Sequence, residues 1–384
     1  MKKLVTFLLC IAVFIAAATV IYSNINDPES EPIPEETVDA SILDGFEEKL
    51  SSNTYYYYNS LNENQQYAYR KIYGTVMSFG KSCSVSVTSE ELQKIYTAIL
   101  YDNPDIFWLR ADYEYIDYTT YVEFSPMYRN TKEEAEGITG RLNAKIDEII
   151  AMADFDGAYE KELFFHDYIC ENTVYDESTL NTFGSTAYGL LLDGRAICEG
   201  YARTMQILLD RVGIKNYLIT GYATSDGKGG AHMWNVVTID GKNYHLDATW
   251  DDGDSYDEIS HLYFNIPDSN ITNDHSELSP QDNNCIWYDA NYYVVKGTYL
   301  TSFSDFNALT DVCADMVSEG KLYAEFRFES KGDYNHALSI IENDNSFFDF
   351  VAKVAAKSNR AIATDKIEYF NVDDFNYLCI VFKG

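Results

Sequence analysis

The chain has 384 residues, 46% of them hydrophobic, enough for two or three domains with packed cores. Its 61 acidic residues outnumber 28 basic ones, for a formal net charge of −33, and a surface that negative repels phosphate backbones, which argues against a nucleic-acid partner. The 33 tyrosines against 4 tryptophans would suit a sugar- or peptide-binding surface, but half-buried strand and helix positions account for them more simply.

Met1-Lys2-Lys3 is a basic start, followed by an apolar run from Leu4 to Tyr22. That is the pattern of an export signal, at a length between a cleaved signal peptide and a membrane anchor, so residues 1–23 are expected to send the rest of the chain outside the cytoplasm. Residues 24–40 carry Pro28, Pro32, Pro34 and four glutamates without apolar periodicity, as in a disordered tether. Residues 41–155 form a mainly helical region. Thr88-Ser89-Glu90-Glu91 is a capping signature opening a helix from Leu92 to Tyr101, which Asp102-Asn103-Pro104 stops. Ile106 to Glu123 alternates like strands, and helices are expected over Thr131–Ala153 and Tyr159–Glu171.

From Tyr188 onward glycines punctuate the chain. Gly194 precedes a helix from about Cys198 to Val212, with Gly213 as its C-terminal cap. Tyr217–Thr224 reads as a strand and Ser225–Gly230 as a flexible polar loop. Met233–Ile239 and Asn243–Ala248 read as strands of a hairpin turning at Asp240-Gly241. Residues 285–384 form a separate α+β unit, with strands at Tyr292–Val295, Tyr323–Phe328 and Ile367–Phe382 and helices at Phe306–Ser318 and Tyr334–Ala356. It offers no catalytic spacing. Beyond Cys10 six cysteines remain, widely scattered, with neither a CxxC pair nor zinc spacing, as isolated buried thiols would be.

Cys198, Ala202, Met205, Leu209 and Val212 make one apolar stripe, with the cysteine in the first helical turn. A cysteine on such a stripe is usually core. The first turn, however, also presents unpaired N–H groups and the positive end of the helix dipole, where a thiol ionises more easily and an oxyanion can be held. A two-residue turn at Asp240-Gly241 pairs residues whose numbers add to 481. His232 and Asp247 add to another odd number, so they project from one face of the ribbon as diagonal neighbours. His245 lies on that face too and is a rival base. His232 is preferred because it ends the glycine loop at Gly230, where a substrate could enter. Tyr188 is an optional oxyanion donor, with packing the simpler role. Asp251, Asp252, Asp254, Asp257 and Glu258 do not fit an EF-hand and read as a solvated acidic loop.

Three segments carry a resemblance: Gly194 to Ala202 around Cys198-Glu199-Gly200-Tyr201, Gly230 to Asn235 around His232, and Tyr244 to Trp250 around Asp247. Together they resemble the transglutaminase-like superfamily of papain-like cysteine enzymes over roughly 159–265. Asp102 to Trp108 is similar to the upstream part of bacterial members. The resemblance implies an α+β papain-like core at residues 156–270, with Cys198 as nucleophile, His232 as general base and acid, and Asp247 as the group orienting the imidazole. Ala248 stands where many members have proline. The expected activity is acyl transfer or amide hydrolysis through a thioester on a protein or peptide substrate, a cell-wall peptide among the candidates, at the cell surface. No cofactor or metal is called for, and membrane contact would run only through the N-terminal segment. The competing reading is a catalytically degenerate surface-binding module.

Overall fold

The computed structural model describes residues 19–20, 45–47, 50, 55–118, 120–179, 182–225, 228–252, 259–280, 282–363 and 368–382. The apolar N-terminal run (apart from Thr19 and Val20) and the Pro/Glu-rich segment lie outside these residues. Among the described residues, no helix is long and apolar enough to cross a membrane. The chain divides into two compact units, Met1–Trp287 and Tyr288–Gly384.

In the first unit, Thr19–Val20 (β1) pairs with the edge of a sheet built from Cys83–Val85 (β2), Leu109–Asp117 (β3) and Val122–Tyr128 (β4), in the order β1-β3-β4-β2. Helices Tyr56–Asn59 (α1), Glu63–Met77 (α2), Ser89–Asp102 (α3) and Lys132–Met152 (α4) accompany it. The start of α3 is held by the expected capping box: Thr88 Oγ1 accepts from Glu91 N–H, and the Glu91 carboxylate accepts from Thr88 N–H. Tyrosines fill this region. Phe46 meets the rings of Tyr55, Tyr58, Tyr69 and Tyr73, with centroids 4.8–5.6 Å away, and Tyr96 packs on Tyr113 and Phe124. Many of the tyrosines are thus core rather than binding surface.

Helix Ala158–Asn172 (α5) leads through the two-residue strands Val174–Tyr175 (β5) and Arg195–Ala196 (β6) to helix Cys198–Arg211 (α6). The second sheet follows. Its strands Asn216–Ser225 (β7), Lys228–Ile239 (β8), Lys242–Leu246 (β9) and His275–Ser279 (β10) run antiparallel in the order β10-β7-β8-β9. Single turns Ala248–Asp251 (α7) and Asp268–Ile271 (α8) separate β9 from β10. The β8–β9 turn has Asp240 and Gly241 at φ of 51° and 77°, which is the twist a two-residue hairpin demands. Asn235 stands opposite Leu246 and Val236 opposite His245, the register in which residue numbers add to 481.

Two expectations here need correction. The polar stretch before His232 is not a loop at its end: β8 begins at Lys228, paired with Ser225, and His232 sits within the strand opposite Gly221. Strand β9 stops at Leu246 rather than reaching Ala248, because the Asp247 carboxylate accepts from Thr249 N–H and Trp250 N–H and starts α7. Ala248 is therefore the first residue of a helical turn, the position at which proline is best tolerated.

Helix α6 is also more enclosed than one stripe suggests. Residues 200–202 and 204–209 are buried, so nearly all its faces are covered. One face meets β8, where Asn235 Nδ2 donates to Ala202 O at 3.0 Å. Another meets the end of α3, where Arg203 donates to Leu100 O and Gln206 to Tyr101 O.

The second unit holds helices Tyr292–Val295 (α9), Thr310–Ser318 (α10), Lys331–Asn343 (α11) and Ser346–Ser358 (α12). Its sheet comprises Tyr299–Leu300 (β11), Tyr323–Phe328 (β12), Glu368–Val372 (β13) and Tyr377–Val381 (β14), in the order β11-β12-β14-β13. Residues 292–295, expected as a strand, are helical because Asn291 caps them by accepting from Tyr293 N–H. The single helix expected over 334–356 is two. Asp344 is extended and its side chain accepts from Ser346 N–H, so a local side-chain turn interrupts the helix.

Candidate active site

Cys198 is the first residue of α6. The preceding Ile197 is extended and offers no side-chain cap; its own N–H donates to Gly184 O and Gly200 N–H donates to Ile197 O, so the N–H groups of Cys198 and Glu199 are the ones left to face whatever lies beside the thiol. Gly200 lets this end pack tightly. A Cβ there would lie 2.4 Å from Gly184 O and 2.8 Å from Ala196 Cβ. The thiol is 1% exposed.

His232 reaches the same place from β8. Its Nε2–H donates to Asp247 Oδ2 at 2.6 Å, leaving Nδ1 for the Cys198 thiol, which hydrogen-bonds the ring. Burial works against the imidazolium, but the Asp247 charge and hydrogen bond, with help from Cys198, outweigh it and lift His232 to about 9. Asp247 is itself buried. Burial opposes its ionised form, yet the His232 charge and the hydrogen bonds from His232 and His275 hold its carboxyl well below the usual range. Its Oδ1 is the cap of α7 described above, so neither oxygen is idle. The structure thus brings the three residues singled out from the sequence to one point.

The rival base is turned away. His245 Nδ1 accepts from Trp234 Nε1 at 3.0 Å, and its Nε2–H donates to Asp268 at 2.8 Å. Burial keeps His245 below its ordinary value. Tyr188 packs its ring on Phe183 and Phe107, with Arg141 over it.

Sequence reasoning missed His275. On the opposite edge strand β10, its Nε2 lies 3.2 Å from the same Asp247 Oδ2 that His232 holds, and its Nδ1 lies 2.6 Å from Asp274 Oδ1. Tyr263 donates its hydroxyl to Asp274 at 2.6 Å. The available signal was a carboxylate adjacent to a histidine in the chain, Asp274-His275, a pattern shared with His166-Asp167.

That second pair belongs to another buried network. His166 donates from Nδ1 to Asp167 at 3.0 Å and from Nε2 to Asp251 at 3.2 Å, while His261 Nε2 donates to Asp167 at 3.0 Å. Asp251, read as part of a solvated acidic loop, is fully buried and also accepts from Tyr263 N–H; Asp254, Asp257 and Glu258 lie outside the described residues. Cys170 sits 4.0 Å from His166 Nε2. This is a second cysteine–histidine–aspartate set, but both ring nitrogens face carboxylates, so neither can take a thiol proton. Burial pushes the Cys170 thiol up to about 11. The cysteines at 83, 170, 198, 285, 313 and 379 are all buried.

Among the described residues, three groups place ligand atoms within 4.8 Å of one another as a metal ion would need: His166, Asp167 and His261; His232, Asp247 and His275; and His245, Asp268 and Cys285. Hydrogen bonds join the histidine and aspartate members of each.

Residues 147–248 match the model of the transglutaminase-like superfamily. A solved structure described as a TGase matches with a TM-score of 0.27 and 16% identity over 44% of this chain and 50% of its own. A candidate cysteine protease from Cytophaga hutchinsonii matches with a TM-score of 0.24 and 15% identity over 36% of this chain and 61% of its own. The chain thus spans between half and two thirds of the length of these structures. No curated protein matches the chain.

Proposed function

Residues 147–248 are transglutaminase-like, and we propose that the chain is an exported cysteine enzyme that transfers or hydrolyses acyl groups through a thioester on Cys198. The observation that carries this reading is the 2.6 Å bond from His232 to Asp247 beside a cysteine at an uncapped helix start. A ring held by Asp247 through Nε2 keeps Nδ1 for the thiol, so the proton of Cys198 can pass to His232 and the ion pair is retained by the Asp247 charge.

In the first half-reaction the Cys198 thiolate attacks the carbonyl carbon of a carboxamide or peptide. The S–C bond forms, and the oxyanion faces the N–H groups at the start of α6. The C–N bond then breaks as the leaving amine takes the proton from the His232 imidazolium. In the second half-reaction an amine or water gives its proton to His232 and attacks the thioester, and the thiolate leaves. The substrate class is a protein or peptide, and the choice of acceptor decides between crosslinking, deamidation and proteolysis.

The test is to incubate the protein with glutamine-containing peptides and wall-derived peptides, with and without a primary amine, and to look by mass spectrometry for an acyl adduct on Cys198. We expect an adduct on the native protein and none on Cys198→Ala. Absence of any adduct, together with iodoacetamide labelling of Cys198 no faster than Cys170 or Cys313, would leave a surface-binding module as the better account.

A further inference from the structure

Asp247 Oδ2 serves two imidazoles, and the mechanism above uses only one. We propose that His275 is a positioning residue that, as a cation, clamps Asp247 from the side opposite His232 and shares its charge, so tuning the Cys198–His232 pair. The inference rests on the functional reading above.

The geometry dictates the charge. His275 faces a carboxylate oxygen with each ring nitrogen, Asp247 Oδ2 at 3.2 Å and Asp274 Oδ1 at 2.6 Å. A neutral ring would point one lone pair at an oxygen lone pair. Only the doubly protonated ring donates at both ends. The ring is buried and fixed by neighbours: Trp250 at 4.6 Å, Trp234 at 4.9 Å, His232 at 5.3 Å and Tyr263 at 5.8 Å between centroids. The titratable groups facing it are Asp274 in the turn just before β10, Asp247 after β9, His232 on β8, His245 on β9 and Tyr263 from the segment between α7 and α8. Burial opposes the charge, yet the hydrogen bonds to Asp247 and Asp274 raise His275 above its ordinary value. Tyr263, donating to Asp274, steadies the far end.

Two consequences follow. With four donors on its two oxygens, two from backbone N–H groups and two from histidines, the Asp247 carboxylate cannot rotate away from His232. And a second cation at Asp247 weakens its hold on the His232 proton while favouring a thiolate nearby. Without that cation, both steps of the Cys198–His232 titration move to higher pH. A residue that only fills space would change stability or rate without moving the titration.

The experiment needs no knowledge of the substrate. Iodoacetamide labelling of Cys198, read by peptide mass spectrometry from pH 5 to 10, is compared in the native protein and in His275→Gln. We expect the midpoint of the variant to rise by about one pH unit, roughly tenfold slower labelling on the acid limb. An unchanged midpoint in a folded variant overturns the proposal. Should His275→Gln not fold, nitrogen-15 spectra of the six histidines in the native protein decide the matter. With the His275 signal assigned through its contacts to Trp234 and Trp250, both nitrogens protonated at pH 7 supports the clamp, and a neutral tautomer overturns it. A native midpoint near that of an ordinary thiol, about 8.5, would sink the cysteine-enzyme reading instead; a low native midpoint with no shift sinks only the role of His275.

Discussion

At the residue scale, Asp247 does three jobs with two oxygens. Oδ2 holds His232 and His275, and Oδ1 caps α7 through Thr249 and Trp250 N–H. Asparagine cannot repeat this. Whichever way its amide turns, an NH₂ group meets either the histidine donors or the backbone donors. Asp247→Asn should therefore lower turnover by about two to four orders of magnitude, as for other triads that lose the orienting carboxylate. The far-ultraviolet spectrum should stay native, because the sheet and α6 do not depend on that cap. Activity within tenfold of native, or a fully unfolded chain, would each contradict the assignment.

At the element scale, the start of α6 is set by close backbone approach. Ile197 N–H donates to Gly184 O at 3.0 Å, and Gly200 passes beside the same carbonyl. Gly200→Ala would push a methyl group into that oxygen, so the helix start must shift. We expect a loss of about 1–3 kcal/mol in a denaturant titration. Labelling of Cys198 should slow with it, since the thiol rides on the displaced turn. A neutral substitution would mean the approach of Gly184 to the helix is not tight. Elsewhere, side chains decided where elements end. Asp344 broke one expected helix into two, Asn291 made a helical turn from a β-branched stretch, and Asp247 ended β9. Periodicity finds the body of an element, while short polar side chains that bond to neighbouring backbone set its limits.

For the whole molecule, buried ionisable groups set how stability follows pH. His232 rises to about 9, and His166 and His275 are also raised. A raised histidine stabilises the fold below its unfolded value, about 6.5, and that contribution is lost as pH climbs through the folded value. Burial lifts Glu162 to about 8 and Asp102 to about 7. Both bind a proton in the fold that the unfolded chain has released above about pH 4, so they too favour lower pH. Asp167 and Asp247 are depressed and protect the fold only above the ordinary carboxylate range. The melting temperature should therefore peak between about pH 4 and 6 and fall towards pH 9. A scan by differential scanning fluorimetry checks this, and a melting temperature that rises from pH 6 to 9 would refute it.

The sequence by itself determined the local terms. The Asp240-Gly241 turn sets the hairpin register, because only a primed turn matches strand twist, and a register of period two then puts His232 and Asp247 on one face. A cysteine at the head of an apolar helix was equally legible, as was the α+β character. Only the tertiary structure decided which groups from distant segments close on those residues. His275 arrives on β10, across the sheet from β9, and α6 is enclosed from nearly every side rather than along one stripe. The network of His166, Asp167, Asp251 and His261 joins a helix to residues 85 and 94 positions later in the chain. Such pairings depend on how sheet edges and helices pack, and packing leaves no period in the chain. The same tertiary contacts separate two cysteine–histidine–aspartate sets of like composition. His166 spends both nitrogens on carboxylates, whereas His232 spends one and keeps the other for a thiol.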